Sequence, residues 1–231
     1  MKLGGLQKLT LIDYPGKIAC TVFCLGCNFR CPWCYSSELV LPEKIKKQPN
    51  ISEKDFFRFL KSKKGLLEAV VICGGEPCLQ KDLPSFAKNI KKMGFLVKLD
   101  TNGFNPQMLE DLVAKKLVDY VAMDIKAPKE KYQDAVGTAV NLKNIEKSIK
   151  FLIAGCLDYE FRTTLVPEFL NKNDISEIAK WISGAKKYFL QNFRPEKTLN
   201  PELEKVKPLE SKFLEEICKE ISPYFKDCQI R

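Results

Sequence analysis

The segment CLGCNFRCPWCY, residues 24–35, decides how the rest of the chain reads. Four cysteines lie within it, and the last three, Cys27, Cys31 and Cys34, follow the pattern C-x3-C-x2-C. With Gly26 ahead of them and Pro32 inside, they belong to a loop that wraps around something soft and multivalent. Cysteine thiolates hold iron–sulfur clusters, usually four to a cluster. Three at this spacing would hold a four-iron cluster and leave one iron without a protein ligand. An open metal position marks catalysis rather than structure, by the reasoning that separates catalytic from structural zinc. Other uses compete. A compact zinc site on Cys24, Cys27, Cys31 and Cys34 would depart from the two separated pairs that structural zinc usually draws on. Disulfides would require an oxidising compartment. Buried, unreactive cysteine is common one at a time, but rarely accounts for four in one loop.

Composition narrows the choice. A chain of 231 residues with 45% hydrophobic content can bury a sizeable core. The first residues, MKLGGLQKLTLIDYPGK, lack the apolar stretch and small-residue cleavage site of a signal peptide. No apolar run approaches the ~20 residues of a membrane span. The expectation is a cytoplasmic protein without a membrane segment, whose ten cysteines serve metal or redox chemistry more often than disulfides. The net charge of +9 is spread as lysines interleaved with acidic residues, with no basic-aromatic stripe. Nucleic acid is therefore not the expected partner, although the charge leaves room for it. Histidine is absent. That excludes a Ser-His-Asp triad, a Cys-His pair, an H-E-x-x-H zinc site and imidazole acid–base catalysis. An enzyme of this composition leaves the hard chemistry to a cofactor.

Along the chain, strand and helix patterns alternate. Strands are expected at 18–23, 69–73, 95–100, 119–126, 158–166 and 187–193, with a short one at 226–230. Helices are expected after Ser52, over 82–93, 106–117 and 141–154, around Ile175–Ile182 and around Phe213–Ile221. No repeat, low-complexity tract or linker interrupts the pattern, so a single domain over residues 1–231 is expected. Alternation implies an α/β fold with parallel strands and outer helices. The cysteine loop, GGEP at 74–77, DTNG at 100–103, Asp124 and Lys126, Arg162 and Gln191 all fall at the carboxyl ends of successive strands. In a barrel those ends converge on one face. A partial (βα)6 TIM-like barrel is favoured over a flat, doubly wound sheet.

In GGEP, two glycines allow a close backbone approach, Glu76 adds a carboxylate and Pro77 stiffens the exit. A plain strand-to-helix turn would also use a glycine pair. Asp100 and Thr101 offer oxygen ligands, while Asn102-Gly103 is equally a turn dipeptide. Asp124 and Lys126 share a strand face. Arg162 suits a carboxylate or ribose, and as often a solvated ion pair.

C-x3-C-x2-C with Trp33 before its last cysteine, followed by GGEP, resembles the radical SAM superfamily. GLQK, LIDYPGK, VVICGGEP, LDTNG, DYVAMDIKAP, YEFRTTLVP and LQNFRP, read in order over nearly the whole chain, resemble the short activating proteins of anaerobic ribonucleoside-triphosphate reductase. Those are glycyl-radical-enzyme activases. The resemblance implies a [4Fe–4S] cluster on Cys27, Cys31 and Cys34, with S-adenosylmethionine on the fourth iron through its amino and carboxylate groups. It places the ligand's ammonium at Gly74, Gly75 and Glu76, extends the cofactor segments to Pro77 and Asn102, and pairs Lys126 with the methionine carboxylate, steadied by Asp124. Asp100 and Thr101 would hold a monovalent cation or the ligand's polar end. Trp33 would sit near the adenine or in the core. The implied partners are a glycyl radical enzyme, such as an anaerobic ribonucleotide reductase, and an electron donor such as flavodoxin or ferredoxin. Within enzymes, a small molecule or tRNA is the alternative substrate. A non-catalytic iron–sulfur or zinc module is the alternative of another class. One departure stands out: relatives commonly place His-Asn after the last cysteine, where this chain has Tyr35-Ser36. The remaining cysteines, Cys20, Cys24, Cys73, Cys78, Cys156, Cys218 and Cys228, read as small apolar fillers, with Cys73 and Cys78 flanking GGEP.

Overall fold

A computed structural model describes residues 1–155 and 157–231. Cys156, read above as a filler, lies outside the described residues. The chain divides into two compact units: Met1–Asn28, Ser37–Thr101 and Asn105–Val121 form the first, and Phe29–Ser36, Asn102–Phe104 and Ala122–Arg231 the second.

The first unit carries strands β1 (Leu3–Thr10), β2 (Ala19–Cys24), β3 (Ala69–Gly74) and β4 (Leu96–Thr101), and the start of β5 (Tyr120–Asp124). They follow one another in chain order. The β2–β3 and β3–β4 pairs are parallel, and Thr21, Val71 and Lys98 stand in register across them. Ala69, Val70, Val71 and Ile72 are all buried, the continuous apolar run of a parallel strand covered on both faces. Strand β1 is an addition to the expected pattern. It pairs antiparallel with β2 and has bulges on both sides of its central residues. Its sequence, LGGLQKLT, hides it: two glycines and an exposed Gln7-Lys8-Leu9 stretch break any apolar alternation.

Helices α1 (Ser37–Val40), α2 (Pro42–Ile45), α3 (Glu53–Ser62), α4 (Leu83–Lys92) and α5 (Pro106–Ala114) complete this unit. The Ser52 hydroxyl caps α3 by accepting from the Asp55 N–H, as the Ser-x-x-Asp spacing predicts. Phe56 of α3 and Phe86 of α4 meet with ring centroids 5.1 Å apart. Helix α5 stops three residues short of the expected 117, at Ala114; Asn105 caps it and Pro106 is its first residue.

The second unit holds the end of β5, helices α6 (Tyr132–Val136) and α7 (Leu142–Ile153), β6 (Asp158–Leu165), α8 (Lys172–Trp181), β7 (Lys187–Asn192), α9 (Ser211–Ile221) and β8 (Asp227–Ile230). β6–β7 and β7–β8 are parallel. The periodic residues Ile145, Ile149 and Leu152 of α7, Ile175 and Ile178 of α8, and Leu214, Ile217 and Ile221 of α9 are buried as their spacing requires. A fully buried carboxylate, Glu160 on β6, is met by the Arg231 guanidinium at 2.8 and 3.2 Å, and that guanidinium also lies 3.5 Å over the Phe189 ring. Burying a carboxylate requires such a partner. No helix among the described residues is long and apolar enough to cross a membrane.

Candidate active site

In the first unit, GGEP is built against the start of the cysteine loop. Cys24 and Gly74 are register partners at the ends of β2 and β3, and there the two chains touch backbone to backbone. The Gly75 N–H donates to the Cys24 carbonyl and the Glu76 N–H to the Gly26 carbonyl, both at 2.8 Å. A Cβ on Gly75 would stand 2.0 Å from the Gly26 oxygen. Gly74 has φ +112°, and a Cβ there would meet the Cys24 nitrogen at 2.4 Å. Both glycines are therefore demanded by chain packing. Gly26, at φ +91°, supplies the left-handed turn that opens the loop.

Glu76 is buried and accepts from the Cys78 N–H at 2.9 Å and the Thr101 hydroxyl at 2.7 Å. It thereby ties GGEP to the end of β4, and Pro77 opens the short helical turn that follows it. Asp100, expected to meet a cation, has one from the chain itself. Lys98, only 1% exposed, puts Nζ 2.5 Å from Asp100 Oδ1 and 6.0 Å from the Tyr120 ring centroid. Lys98 was missed in the sequence, although a lysine two places before an aspartate on one strand face was its signal. Cys24 and Cys78 are buried, and burial holds both thiols well above the ordinary range.

In the second unit, the rest of the cysteine loop is pinned at several points. The Arg30 N–H donates to the Val136 carbonyl at 2.7 Å, and a Cβ on Gly137 would sit 2.7 Å from the Arg30 oxygen. The Cys34 N–H closes a turn on the Cys31 carbonyl at 3.0 Å, and the Asn200 N–H holds the Pro32 carbonyl at 2.8 Å. The Tyr35 hydroxyl accepts from the Arg194 N–H at 2.8 Å, while its ring stacks on Phe193 and lies under the Arg194 guanidinium. Trp33 is buried edge-on to Phe169 with centroids 5.3 Å apart. Gly137, Asn200 and Arg194 were not legible as loop supports, because nothing local in the sequence marks a residue whose partner is so distant.

The charged centre of this unit is Asp124. Its carboxylate takes the Lys126 ammonium at 3.0 Å on one oxygen and the Arg162 Nε at 2.9 Å on the other. Burial would raise Asp124, but Arg162 and then Lys126 overcome it and bring the carboxyl down to about 2. Burial would likewise lower Lys126, and Asp124 followed by Cys31 holds it above the ordinary lysine range. Cys31 is pushed up to about 11 by burial, against the pull of Lys126. Asn102, buried, accepts from the Phe104 N–H at 3.0 Å.

The chain matches the radical SAM superfamily over residues 21–182. It belongs to that family. Two relatives from Methanocaldococcus jannaschii are described provisionally as glycyl-radical enzyme activating enzymes. One is 34% identical, covering 99% of this chain and 95% of its own length; the other is 29% identical, covering 78% and 68%. Among solved structures, Streptococcus suis SuiB bound to precursor peptide SuiA matches with a TM-score of 0.66 at 15% identity, over 90% of this chain and 49% of that one. SuiB bound to S-adenosylmethionine gives 0.64 at 14% identity, over 90% and 48%. The chain thus spans about half the length of those proteins. This likeness shows the fold: the α/β type expected from the alternation, of the partial-barrel kind favoured by the polar residues at the strand ends.

Members of the family work with a [4Fe–4S] cluster and S-adenosylmethionine, and the thiols of the cysteine loop are the donor type that the cluster takes. Thiolates are the ligands that iron–sulfur clusters take, and binding metal deprotonates a thiol that burial keeps neutral. Lys126 stands beside Cys31 to favour that deprotonation. No group of three or more His, Cys, Asp or Glu side chains positioned to hold a metal ion occurs among the described residues.

Two predictions follow from these contacts. Cys31→Ala abolishes cluster assembly and Cys24→Ala spares it, measured as iron and sulfide per chain after anaerobic reconstitution; equal iron in both variants would contradict the ligand assignment. Asp124→Asn leaves Lys126 and Arg162 without their shared carboxylate. Their partial exposure, 20% and 13%, puts the cost at about 2–3 kcal/mol, below that of a fully buried pair. Because the folded carboxyl sits near 2 against an ordinary 3.8, its contribution is complete above that ordinary value and is lost as pH falls through about 2. Urea unfolding of the cluster-free chain against pH shows this acid loss in the wild type, and Asp124→Asn removes it.

Proposed function

We propose that this radical SAM enzyme is a glycyl-radical-enzyme activating enzyme, whose target is a backbone glycine of an anaerobic ribonucleotide reductase or a related glycyl radical enzyme. The observation that carries the proposal is the likeness to the first Methanocaldococcus jannaschii relative along 99% of this chain and 95% of that one.

On this reading Cys27, Cys31 and Cys34 hold the cluster, and Lys126 takes the methionine carboxylate while Asp124 and Arg162 fix its position. The backbone at Gly74 and Gly75, with the Glu76 carboxylate, receives the ammonium. When bound, the cluster supplies one electron that splits S-adenosylmethionine into methionine and a 5′-deoxyadenosyl radical, the species that takes the glycine hydrogen. The chain's own residues bind and orient; without histidine they offer no imidazole to move protons. Both units serve one radical SAM domain over residues 1–231, since the family match runs through segments of each. The setting is an anaerobic cytoplasm, and the electron comes from a carrier of the flavodoxin or ferredoxin kind.

The test is electron paramagnetic resonance of a candidate glycyl radical enzyme, mixed anaerobically with the cluster-loaded protein, a reductant and S-adenosylmethionine. A glycyl signal that splits less when the target glycine carries deuterium at its α-carbon is the expected result. S-adenosylmethionine cleavage coupled instead to change in a nucleotide or tRNA, with no protein radical, would overturn it.

A further inference from the structure

Two cysteines outside the cluster loop are not the isolated fillers that their sequence positions suggest. Cys218 lies on α9 and Cys228 on β8, ten positions apart, and their sulfurs are 3.2 Å from each other. Each is partly buried. That separation is inside van der Waals contact for two sulfurs, and about 1.2 Å of approach brings them to the 2.03–2.05 Å of a disulfide bond. The flanking structure is anchored on both sides. Helix α9 buries Leu214, Ile217 and Ile221, and β8 is paired in parallel with β7 from Asp227 to Ile230. The two thiols are thus held together by elements fixed independently of them, and partial exposure leaves the pair open to a small reagent.

We propose that Cys218 and Cys228 form a redox-active dithiol that closes to a disulfide by exchange with a low-molecular-weight disulfide of the glutathione type. One thiol of the pair, as its thiolate, attacks the incoming disulfide. It displaces one thiol from that reagent and forms a mixed disulfide. The other thiol of the pair then gives up its proton and attacks the sulfur of the first, displacing the second thiol of the reagent. The protein loses two protons and two electrons to the reagent, and one disulfide becomes two thiols. The product ties α9 to β8 through a short closed loop, which restrains the unfolded chain and raises the thermal midpoint.

The experiment uses cluster-loaded protein equilibrated anaerobically with oxidised and reduced glutathione, quenched in acid, alkylated and mapped by mass spectrometry. The expected result is a linked peptide pair containing Cys218 and Cys228 that dithiothreitol reverses, with iron content unchanged and a higher thermal midpoint. In Cys218→Ser the link is absent and Cys228 remains alkylatable; should that variant fold poorly, the wild-type map decides alone. If Cys218 and Cys228 stay alkylatable while other thiols oxidise, or if Cys228 links elsewhere in the wild type, the proposal falls.

Discussion

The contact between two stretches of bare backbone, Cys24–Gly26 and Gly74–Glu76, is the constraint on which the rest of this structure depends. Parallel pairing of β2 and β3 delivers both strand ends to the same level, and beyond them the chains run so close that no side chain fits at Gly75. Two hydrogen bonds of 2.8 Å are gained there. The start of the cysteine loop is set by strand register rather than by its own composition, which is how a loop rich in chemistry avoids wandering. The second unit repeats the device at the next stretch of the loop, where Gly137 lies against the Arg30 carbonyl. Each glycine is a steric permission, and each is used at a point where backbone N–H and C=O groups would otherwise lose their partners.

Electrostatics supply the other half of the design. The chain has no imidazole to titrate near neutrality, and burial moves the Cys31 thiol further from it. Its site charges are fixed: Asp124 stays ionised far into acid, and Lys126 stays protonated far into base. Fixed charges of this kind hold their sign across neutral pH and transfer no protons there. That division of labour suits an enzyme whose bond breaking is delegated to a cofactor.

How much of this was legible in the sequence depends on the distance between partners. The strands β3 and β5 to β7 were visible because apolar runs covered on both faces leave a local mark, and α7 to α9 because periodicity does. The cysteine spacing and GGEP were legible as candidate segments from residue type alone. The physical reason for the glycines could not, since it lies in the Gly26 carbonyl, far away in the chain. Strand β1 was hidden by Gly4, Gly5 and Lys8, since its place is secured by pairing with β2 rather than by an apolar face. Glu160 and Arg231, 71 positions apart, carried no local sign of each other, and neither did Tyr35 and Arg194. Lys98 was legible in principle, two residues from Asp100 on one face, and was passed over because a strand lysine is usually solvated.

The central claim is that this chain runs radical chemistry on S-adenosylmethionine. It is tested most directly by reconstituting the protein anaerobically with iron and sulfide, reducing it, adding S-adenosylmethionine and assaying 5′-deoxyadenosine by mass spectrometry. Formation of 5′-deoxyadenosine that requires cluster, reductant and Cys31 is the predicted result. An intact, reduced cluster that binds S-adenosylmethionine and yields none, with candidate glycyl radical enzymes present, would contradict it.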